Sequence, residues 1–140
     1  MRYYLDFVGT VFDGEEGRLY VDAASFLREK ENATTIITSA HRGSFEATIK
    51  EALAGIPRMS VMYTEGVKKG RYLAPHTHLH TDALLVDDSP QELEVLASEC
   101  PGLALYEMRR DGGEGDGRWP VVRTLSELPN SLSSDGASIS

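Results

Sequence analysis

Residues 2–10 of the chain read RYYLDFVGT. An apolar and aromatic run leads to one carboxylate, Asp6, and a glycine and a threonine follow within four positions. Because an unpaired charge is costly inside a buried strand, we expect the strand to end at Asp6 or Phe7, with the carboxylate at its tip beside a partner. This strand is the expected centre of the fold.

A second apolar run, ALLV at 83–86, ends in a pair of carboxylates, Asp87 and Asp88. Parallel strands end at the same edge of a sheet, which is where open α/β sheets bind ligands. Three carboxylates at one edge repel each other unless a cation lies between them, and oxygen ligands suit Mg²⁺. We therefore expect Mg²⁺ between Asp6, Asp87 and Asp88.

Strand-like and helix-like segments alternate along the rest of the chain. The pattern predicts further strands at 34–39, 59–63 and 103–108, a small hairpin closing at 18–21 and a short strand with a helical turn within 119–128. Helices are expected after Asp22, Ser44 and Ser89 as N-caps, the last with Pro90 and a capping-box Glu92. The alternation predicts a three-layer, Rossmann-like, doubly wound parallel α/β sheet.

Composition limits the classes of function. The 140 residues predict one domain at 1–128, followed by a disordered Ser-rich tail at 129–140. A formal net charge of −8 argues against nucleic acid as a partner, because non-specific binding relies on basic patches. The single cysteine excludes an intrachain disulfide, and no apolar run suits a membrane span or a signal peptide. We expect a soluble, cytoplasmic protein that does not bind membranes.

Four short motifs occur in a characteristic order. They are Asp6-Phe7-Val8-Gly9-Thr10, an apolar strand ending in Thr38-Ser39, Lys69-Gly70, and an apolar strand ending in Asp87-Asp88. Together they resemble the haloacid dehalogenase superfamily of phosphatases and related hydrolases, whose first motif is Asp-x-Asp-x-Thr. The resemblance covers residues 2 to about 110 and implies that the Asp6 strand lies between the strands that end at Ser39 and Asp87.

The resemblance also implies a role for each motif residue. Asp6 is the expected nucleophile, Ser39 donates a hydrogen bond to the phosphoryl group, with Thr38 as the alternative, and Lys69, rather than Lys68, neutralises charge. The Mg²⁺ ligands are expected to be the carboxylates of Asp6, Asp87 and Asp88 and the backbone carbonyl of Val8. Gly9, Thr10, Thr38 and Arg42 are the expected substrate-binding residues; for Arg42, a solvated surface position is equally compatible with the sequence.

Val8 departs from the phosphatase pattern, because the second aspartate of the first motif belongs at this position. In family phosphatases that aspartate protonates the leaving oxygen and then activates water. Without this aspartate there are three alternatives. The substrate has a leaving group that needs no proton, a neighbouring residue supplies the acid, or the site turns over poorly or not at all. Candidate substitutes are Asp13, His41 and the alternating His76, His78 and His80. These three histidines predict either a metal site on a strand or a polar connection.

The intervals between the motifs, about 30 residues each, leave no room for a cap domain. In this family an open site goes with a large phosphorylated substrate or with shielding by another subunit. We expect a Mg²⁺-dependent phosphohydrolase-type domain with weak or atypical phosphatase activity. The alternative is a catalytically inactive domain that binds phosphate, Mg²⁺ or a protein partner. A third possibility is a phosphatase for nucleotides or nucleic-acid ends, which the charge does not favour.

Overall fold

A computed structural model describes residues 1–115 and 117–132. The elements, in chain order, are β1 (Arg2–Leu5), β2 (Phe12–Asp13), β3 (Arg18–Leu19), α1 (Val21–Glu29), β4 (Thr34–Thr38), α2 (Arg42–Ala52), β5 (Ser60–Tyr63), α3 (Lys69–Leu73), β6 (Ala83–Asp87), α4 (Pro90–Glu99), β7 (Ala104–Met108) and β8 (Val121–Val122). A parallel sheet of six strands has the order β5-β4-β1-β6-β7-β8, and two further strands, β2 and β3, form an antiparallel hairpin.

Alternate residues of β1 face two separate hydrophobic cores, as the pleat of a strand requires. Tyr3 and Leu5 lie in the core covered by α1 and α2, whereas Tyr4 lies in the core covered by α3 and α4. Helices thus cover both faces of the sheet. The predicted three-layer, Rossmann-like α/β fold is confirmed, and β1 lies between β4 and β6 as expected.

Two of the predicted helix starts are wrong. Tyr20 precedes α1, and Asp22 lies in its first turn, where its carboxylate binds Arg110 and the backbone N–H of Leu125. Helix α2 begins at Arg42, earlier than predicted, and the Ser44 hydroxyl donates to a backbone carbonyl instead of capping the helix. In α1, the candidate cap residue is used in a long-range contact, which a local cap rule does not anticipate.

The start of α4 follows the prediction in part. The Ser89 hydroxyl accepts the N–H of Glu92, and Pro90 is the first helical residue. The reciprocal half of the capping box is absent from the described hydrogen bonds, because the Ser89 N–H donates to Asp87 instead. The Glu92 carboxylate is therefore available for another contact.

The three alternating histidines do not lie on a strand, which excludes the first of the two alternatives, a metal site on a strand. They flank and enter a 3₁₀ turn, Thr77–Leu79, that precedes β6. The ring of His80 is buried and hydrogen-bonds the carbonyl oxygen of Leu73, whereas His76 and His78 are exposed. The histidines form a polar connection between α3 and β6.

The described residues contain no cap domain: the segments between the motifs hold one helix each with their loops and the β2–β3 hairpin. Within 1–115 and 117–132, no helix is both long and apolar enough to cross a bilayer. The predicted tail begins at 129; residues 133–140 lie outside the described part, and before them the Pro129 carbonyl accepts the Tyr3 hydroxyl at 2.9 Å.

Replacing Gly70 by alanine should destabilise the protein by about 1–3 kcal/mol, the usual cost of overpacking a core. A Cβ at Gly70 would lie 2.7 Å and 2.8 Å from backbone atoms of Val95 and Leu96 in α4, which cannot move aside as a flexible side chain can. Urea denaturation measures the change. Gly43→Ala in α2 is the matched control, because no atom lies within 4 Å of its added methyl group. Equal stabilities of the two variants would contradict this packing.

Candidate active site

Three carboxylates meet at the carboxyl edge of the sheet. Asp6 directly follows β1, Asp87 is the last residue of β6, and Asp88 comes next. The two strands are neighbours, paired in register from Arg2 with Ala83 onward. One oxygen from each of the three carboxylates lies within 4.8 Å of the others. The sequence predicted this convergence from two strand ends more than 80 residues apart.

The buried ammonium of Lys69 joins two of these carboxylates. Its Nζ donates to Asp6 Oδ1 at 2.8 Å and to Asp87 Oδ2 at 2.6 Å, and its side chain is 2% exposed. Lys68 points elsewhere: its side chain is half exposed and its Nζ lies 4.0 Å from Glu92. The geometry therefore places Lys69, and not Lys68, at the carboxylate cluster.

Glu92 positions Lys69, and the sequence did not predict this role. Its Oε1 accepts the backbone N–H of Lys69 at 2.9 Å, at the first residue of α3. Glu92 belongs to α4, which follows Asp88, so one helix connects the carboxylate pair to the lysine. The close contact of α3 and α4 at Gly70 supports the same arrangement. The spacing of Ser89 and Glu92 is that of a capping box, and it predicted the backbone N–H of Ser89, instead of that of Lys69, as the partner of Glu92.

The charges of the cluster do not balance. Three carboxylates and one ammonium give a formal charge of −2 in a largely buried site. Burial raises the pKa of Asp6 to about 7 although Lys69 opposes the shift, and burial together with the charge of Asp6 raises the pKa of Asp87 to about 7. Burial also raises the pKa of Asp88. Burial lowers the pKa of Lys69, but the two carboxylates outweigh this effect and raise it overall.

Three predicted site residues, Val8, Gly9 and Thr10, lie in the loop after β1 and differ in their surroundings. Gly9 has a φ of +87°, and a Cβ there would overlap the carboxylate of Asp88, so only glycine fits. The Val8 side chain is 47% exposed, and its carbonyl oxygen accepts no hydrogen bond from the described backbone. The Thr10 side chain is fully buried and its hydroxyl has no partner among the described residues. The predicted substrate contacts of Gly9 and Thr10 remain predictions.

Strand β4 ends beside β1, on the side opposite β6. The Thr38 hydroxyl is buried and accepts the N–H of Ala40 at 3.2 Å. Ser39 is half-buried, and its hydroxyl makes none of the hydrogen bonds found within residues 1–115 and 117–132. Ser39 thus has the freer hydroxyl, and the choice of Ser39 over Thr38 as a phosphoryl donor stays a prediction.

Arg42 and the candidate acid–base substitutes have other partners. The guanidinium of Arg42 binds Glu46 at 2.8 Å and lies 4.6 Å from the ring centre of Tyr63. Asp13 accepts two N–H groups in the turn of the β2–β3 hairpin, and His41 pairs with Glu65. The histidines before β6 lie at the opposite end of that strand from Asp87, so they cannot replace the missing acid.

Arg110 is a second residue near the site that the sequence analysis missed. Arg110 follows β7; it binds the Asp22 carboxylate through both Nη atoms and donates to the carbonyl of Thr10 at 2.6 Å. Its guanidinium lies 4.0 Å from the ring centre of Tyr20. Arg110 thereby holds the loop after β1 against α1. Nothing in the local sequence pattern distinguishes it from a surface arginine.

Comparisons with known proteins agree with the fold. No family model and no curated protein matches the sequence. Among solved structures, the chain is similar to the UTR4 protein (Unknown transcript 4 protein) from Saccharomyces cerevisiae, with 18% sequence identity and a TM-score of 0.55. The match covers 79% of this chain and 58% of that chain. At this identity the likeness concerns the Rossmann-like fold alone.

Without added metal, the free energy of unfolding should fall as the pH rises from about 4 to about 7. A raised pKa of an acid means that the native state binds its proton more tightly than the unfolded state, so stability is lost between the unfolded value near 3.8 and the folded value of about 7. Urea denaturation in the presence of a chelator measures this. Asp6→Asn removes one titrating group and should flatten the dependence; an equally steep dependence in Asp6→Asn would contradict the assignment.

Proposed function

We propose that the chain is a Mg²⁺-dependent phosphohydrolase-type domain of the haloacid dehalogenase kind, with Asp6 as its nucleophile. The observation that carries the proposal is the buried cluster of Asp6, Lys69, Asp87 and Asp88 at the carboxyl edge of the sheet. Lys69 joins two of the carboxylates, and the third lies beside them. This is the arrangement that attack by an anionic nucleophile on a phosphoryl group requires.

The donor set fits a hard divalent cation. Lys69 occupies one oxygen of Asp6, and the two oxygens of Asp87 accept from Lys69 and from the Ser89 N–H. Each carboxylate oxygen has two acceptor positions, so all three aspartates keep capacity for a cation. A divalent ion would also balance the formal charge of −2. It would be held by these aspartates and by the carbonyl of Val8, which accepts no hydrogen bond from the described backbone, and it would screen the charge of the phosphoryl oxygens.

The chemistry assigned to the chain's own residues consists of two displacements. A carboxylate oxygen of Asp6 attacks phosphorus, and the bond to the leaving oxygen breaks, which gives an acyl phosphate. Water then attacks phosphorus, which releases inorganic phosphate and restores the Asp6 carboxylate. Lys69 favours the ionised form of Asp6 and orients it, and we assign Ser39 as the donor of a hydrogen bond to a phosphoryl oxygen. No acid at position 8 protonates the leaving oxygen, so its proton comes from solvent.

Val8 favours a second candidate, a domain that binds phosphate and Mg²⁺ without turnover. Positioned acid–base help is worth about 10²–10⁴ in rate, and an exposed valine supplies none. Asp13 and His41, the remaining substitutes, are engaged in a hairpin turn and with Glu65. Aryl phosphates therefore distinguish the two candidates. An aryl oxide leaves with little protonation, so a catalytic site without an acid would still hydrolyse an aryl phosphate, whereas a binding domain would not.

Mg²⁺ should raise the melting temperature of the native chain by several degrees. A ligand at 100 times its dissociation constant adds about 2.7 kcal/mol to the free energy of unfolding. Differential scanning fluorimetry at constant ionic strength, with Na⁺ in the reference sample, measures the shift. Asp88→Asn should remove most of it, whereas Asp13→Asn, in the hairpin turn, should keep it. A shift that is unchanged in Asp88→Asn would place the cation elsewhere.

Hydrolysis of an aryl phosphate should be slow, dependent on Mg²⁺ and lost in Asp6→Asn. Val8→Asp should increase the rate on an alkyl phosphate by about 10²–10⁴, because an acid then protonates the poor leaving group. Val8→Asn, which has a similar shape and no acid, is the control and should give no increase. Turnover in Val8→Asp alone would favour the binding-domain candidate. Aryl phosphate turnover that survives in Asp6→Asn would exclude Asp6 as the nucleophile.

A further inference from the structure

A small pocket adjoins the carboxylate cluster on the side of β7. It has a volume of about 170 Å³ and is lined by Gly9 and Asp88 on one side and by the residues at the end of β7 on the other. Sites for drug-sized ligands have volumes of about 300–1,000 Å³, so this pocket suits one small chemical group. A group in the pocket would belong to a molecule bound at Asp6 and Asp88.

Arg109 is the arginine of this pocket with a terminal nitrogen, Nη1, that makes none of the hydrogen bonds found within residues 1–115 and 117–132, whereas both terminal nitrogens of Arg110 are engaged. Its side chain is 25% exposed and forms an ion pair through Nη2 with Glu107, whose side chain is completely buried. The Nε atoms of both Arg109 and Arg110 are buried and have no acceptor within the described parts of the chain, so the two arginines differ in Nη1 and not in Nε. The ion pair with Glu107 therefore fixes the guanidinium on one side and leaves other donors without a partner.

Arg110 and Asp111, which also line the pocket, are already paired. Arg110 is held by Asp22 and by the Thr10 carbonyl. The carboxylate of Asp111 accepts the N–H of Gly113 at 2.8 Å, within its own turn. Arg109 remains as the side chain best suited to bind an anion from outside.

The position of Glu107 supports a functional reason for the pair. Glu107 on β7 lies in register with Asp87 on β6, so it is buried one strand away from the cluster. A buried ion pair seldom adds stability compared with apolar side chains of similar volume. A buried glutamate that holds a partly exposed arginine beside a phosphoryl site is better explained as a positioning residue for Arg109.

We propose that Arg109 binds a second anionic group, a carboxylate or a phosphate, on the leaving part of the substrate. A guanidinium binds both groups through paired hydrogen bonds. The substrates would then be small phosphomonoesters in which the second anion lies a few bonds from the reacting phosphate. This inference rests on the proposed function, because it takes Asp6 and Asp88 as the place where the reacting phosphate binds.

The test compares phenyl phosphate with 4-carboxyphenyl phosphate in the native chain and in Arg109→Gln. A charge-assisted hydrogen bond contributes about a 10- to 100-fold effect on kcat/KM, and we expect it in KM. Arg109→Gln should remove this preference, which is measured as the ratio of kcat/KM for the two substrates, so that a change common to both substrates does not affect the result. Arg58→Gln, an exposed arginine before β5, is the control and should keep the preference. A preference that persists in Arg109→Gln would overturn the proposal.

Two additions keep the test decisive. Glu107→Gln combined with Arg109→Gln avoids an unpaired buried carboxylate and should also lose the preference, even if Arg109→Gln alone folds poorly. Calorimetric binding of phosphonoacetate and methylphosphonate in the presence of Mg²⁺ needs no turnover. The native chain should bind phosphonoacetate more tightly, and the double variant should bind the two ligands equally; equal binding by the native chain would overturn the proposal.

The two proposals fail in distinguishable ways. In the first case, phenyl phosphate turnover is lost in Asp6→Asn, but the preference for the carboxylated substrate does not depend on Arg109. This result would retain the proposed function and reject the role of Arg109. Tighter binding of phosphonoacetate without any turnover would retain the role of Arg109 and reject catalysis. Methylenediphosphonate in place of phosphonoacetate shows whether phosphate or carboxylate is the preferred second anion.

Discussion

The contact of the Lys69 ammonium with Asp6 and Asp87 is the interaction on which the site depends. These residues come from α3, from the end of β1 and from the end of β6, and the ammonium is almost completely buried between the two carboxylates. Carboxylates packed this closely without a cation would repel each other in a medium that screens charge poorly. The order of the strands and the placement of α3 therefore determine the chemistry of this edge.

The protein positions this lysine with backbone contacts. Gly70 lets α3 approach the backbone of α4, and Glu92 of α4 accepts the N–H of Lys69. Because α4 begins directly after the aspartate pair, a displacement of that helix would shift the carboxylates and the lysine together. The site is thus supported by the same packing that builds one of the two cores.

The strands and the meeting of Asp6 with Asp87 and Asp88 were predictable, because apolar runs that end in carboxylates admit few other arrangements. Helix starts were less predictable. Asp22 has the residue type of an N-cap, but Arg110, 88 residues away, binds its carboxylate instead. Glu92 was predicted as a local cap and instead binds Lys69. Such partners depend on tertiary packing, which the spacing of residues along the chain does not specify.

With valine at position 8, the proposed site would bind a phosphoryl group but would lack the acid that eases its transfer. In the proposed function, a site with an exposed valine where family phosphatases have an acid would hold the proposed nucleophile, the lysine and a cation, yet it would offer no proton to the leaving oxygen. A site of this kind favours leaving groups that depart as anions. Recognition of the leaving group by the pocket at Arg109 would then contribute more to selectivity than acid catalysis does.

The most direct measurement is a search for the covalent intermediate. The native chain is mixed with an aryl phosphate and Mg²⁺ and quenched in acid, and its peptides are then examined by mass spectrometry. We expect one added phosphoryl group on the peptide that contains Asp6, released by mild base as an acyl phosphate is, and absent when Mg²⁺ is omitted. Aryl phosphate turnover without any labelled Asp6 in samples quenched during the first turnover, or a label on another residue, would contradict the assignment of Asp6 as the nucleophile.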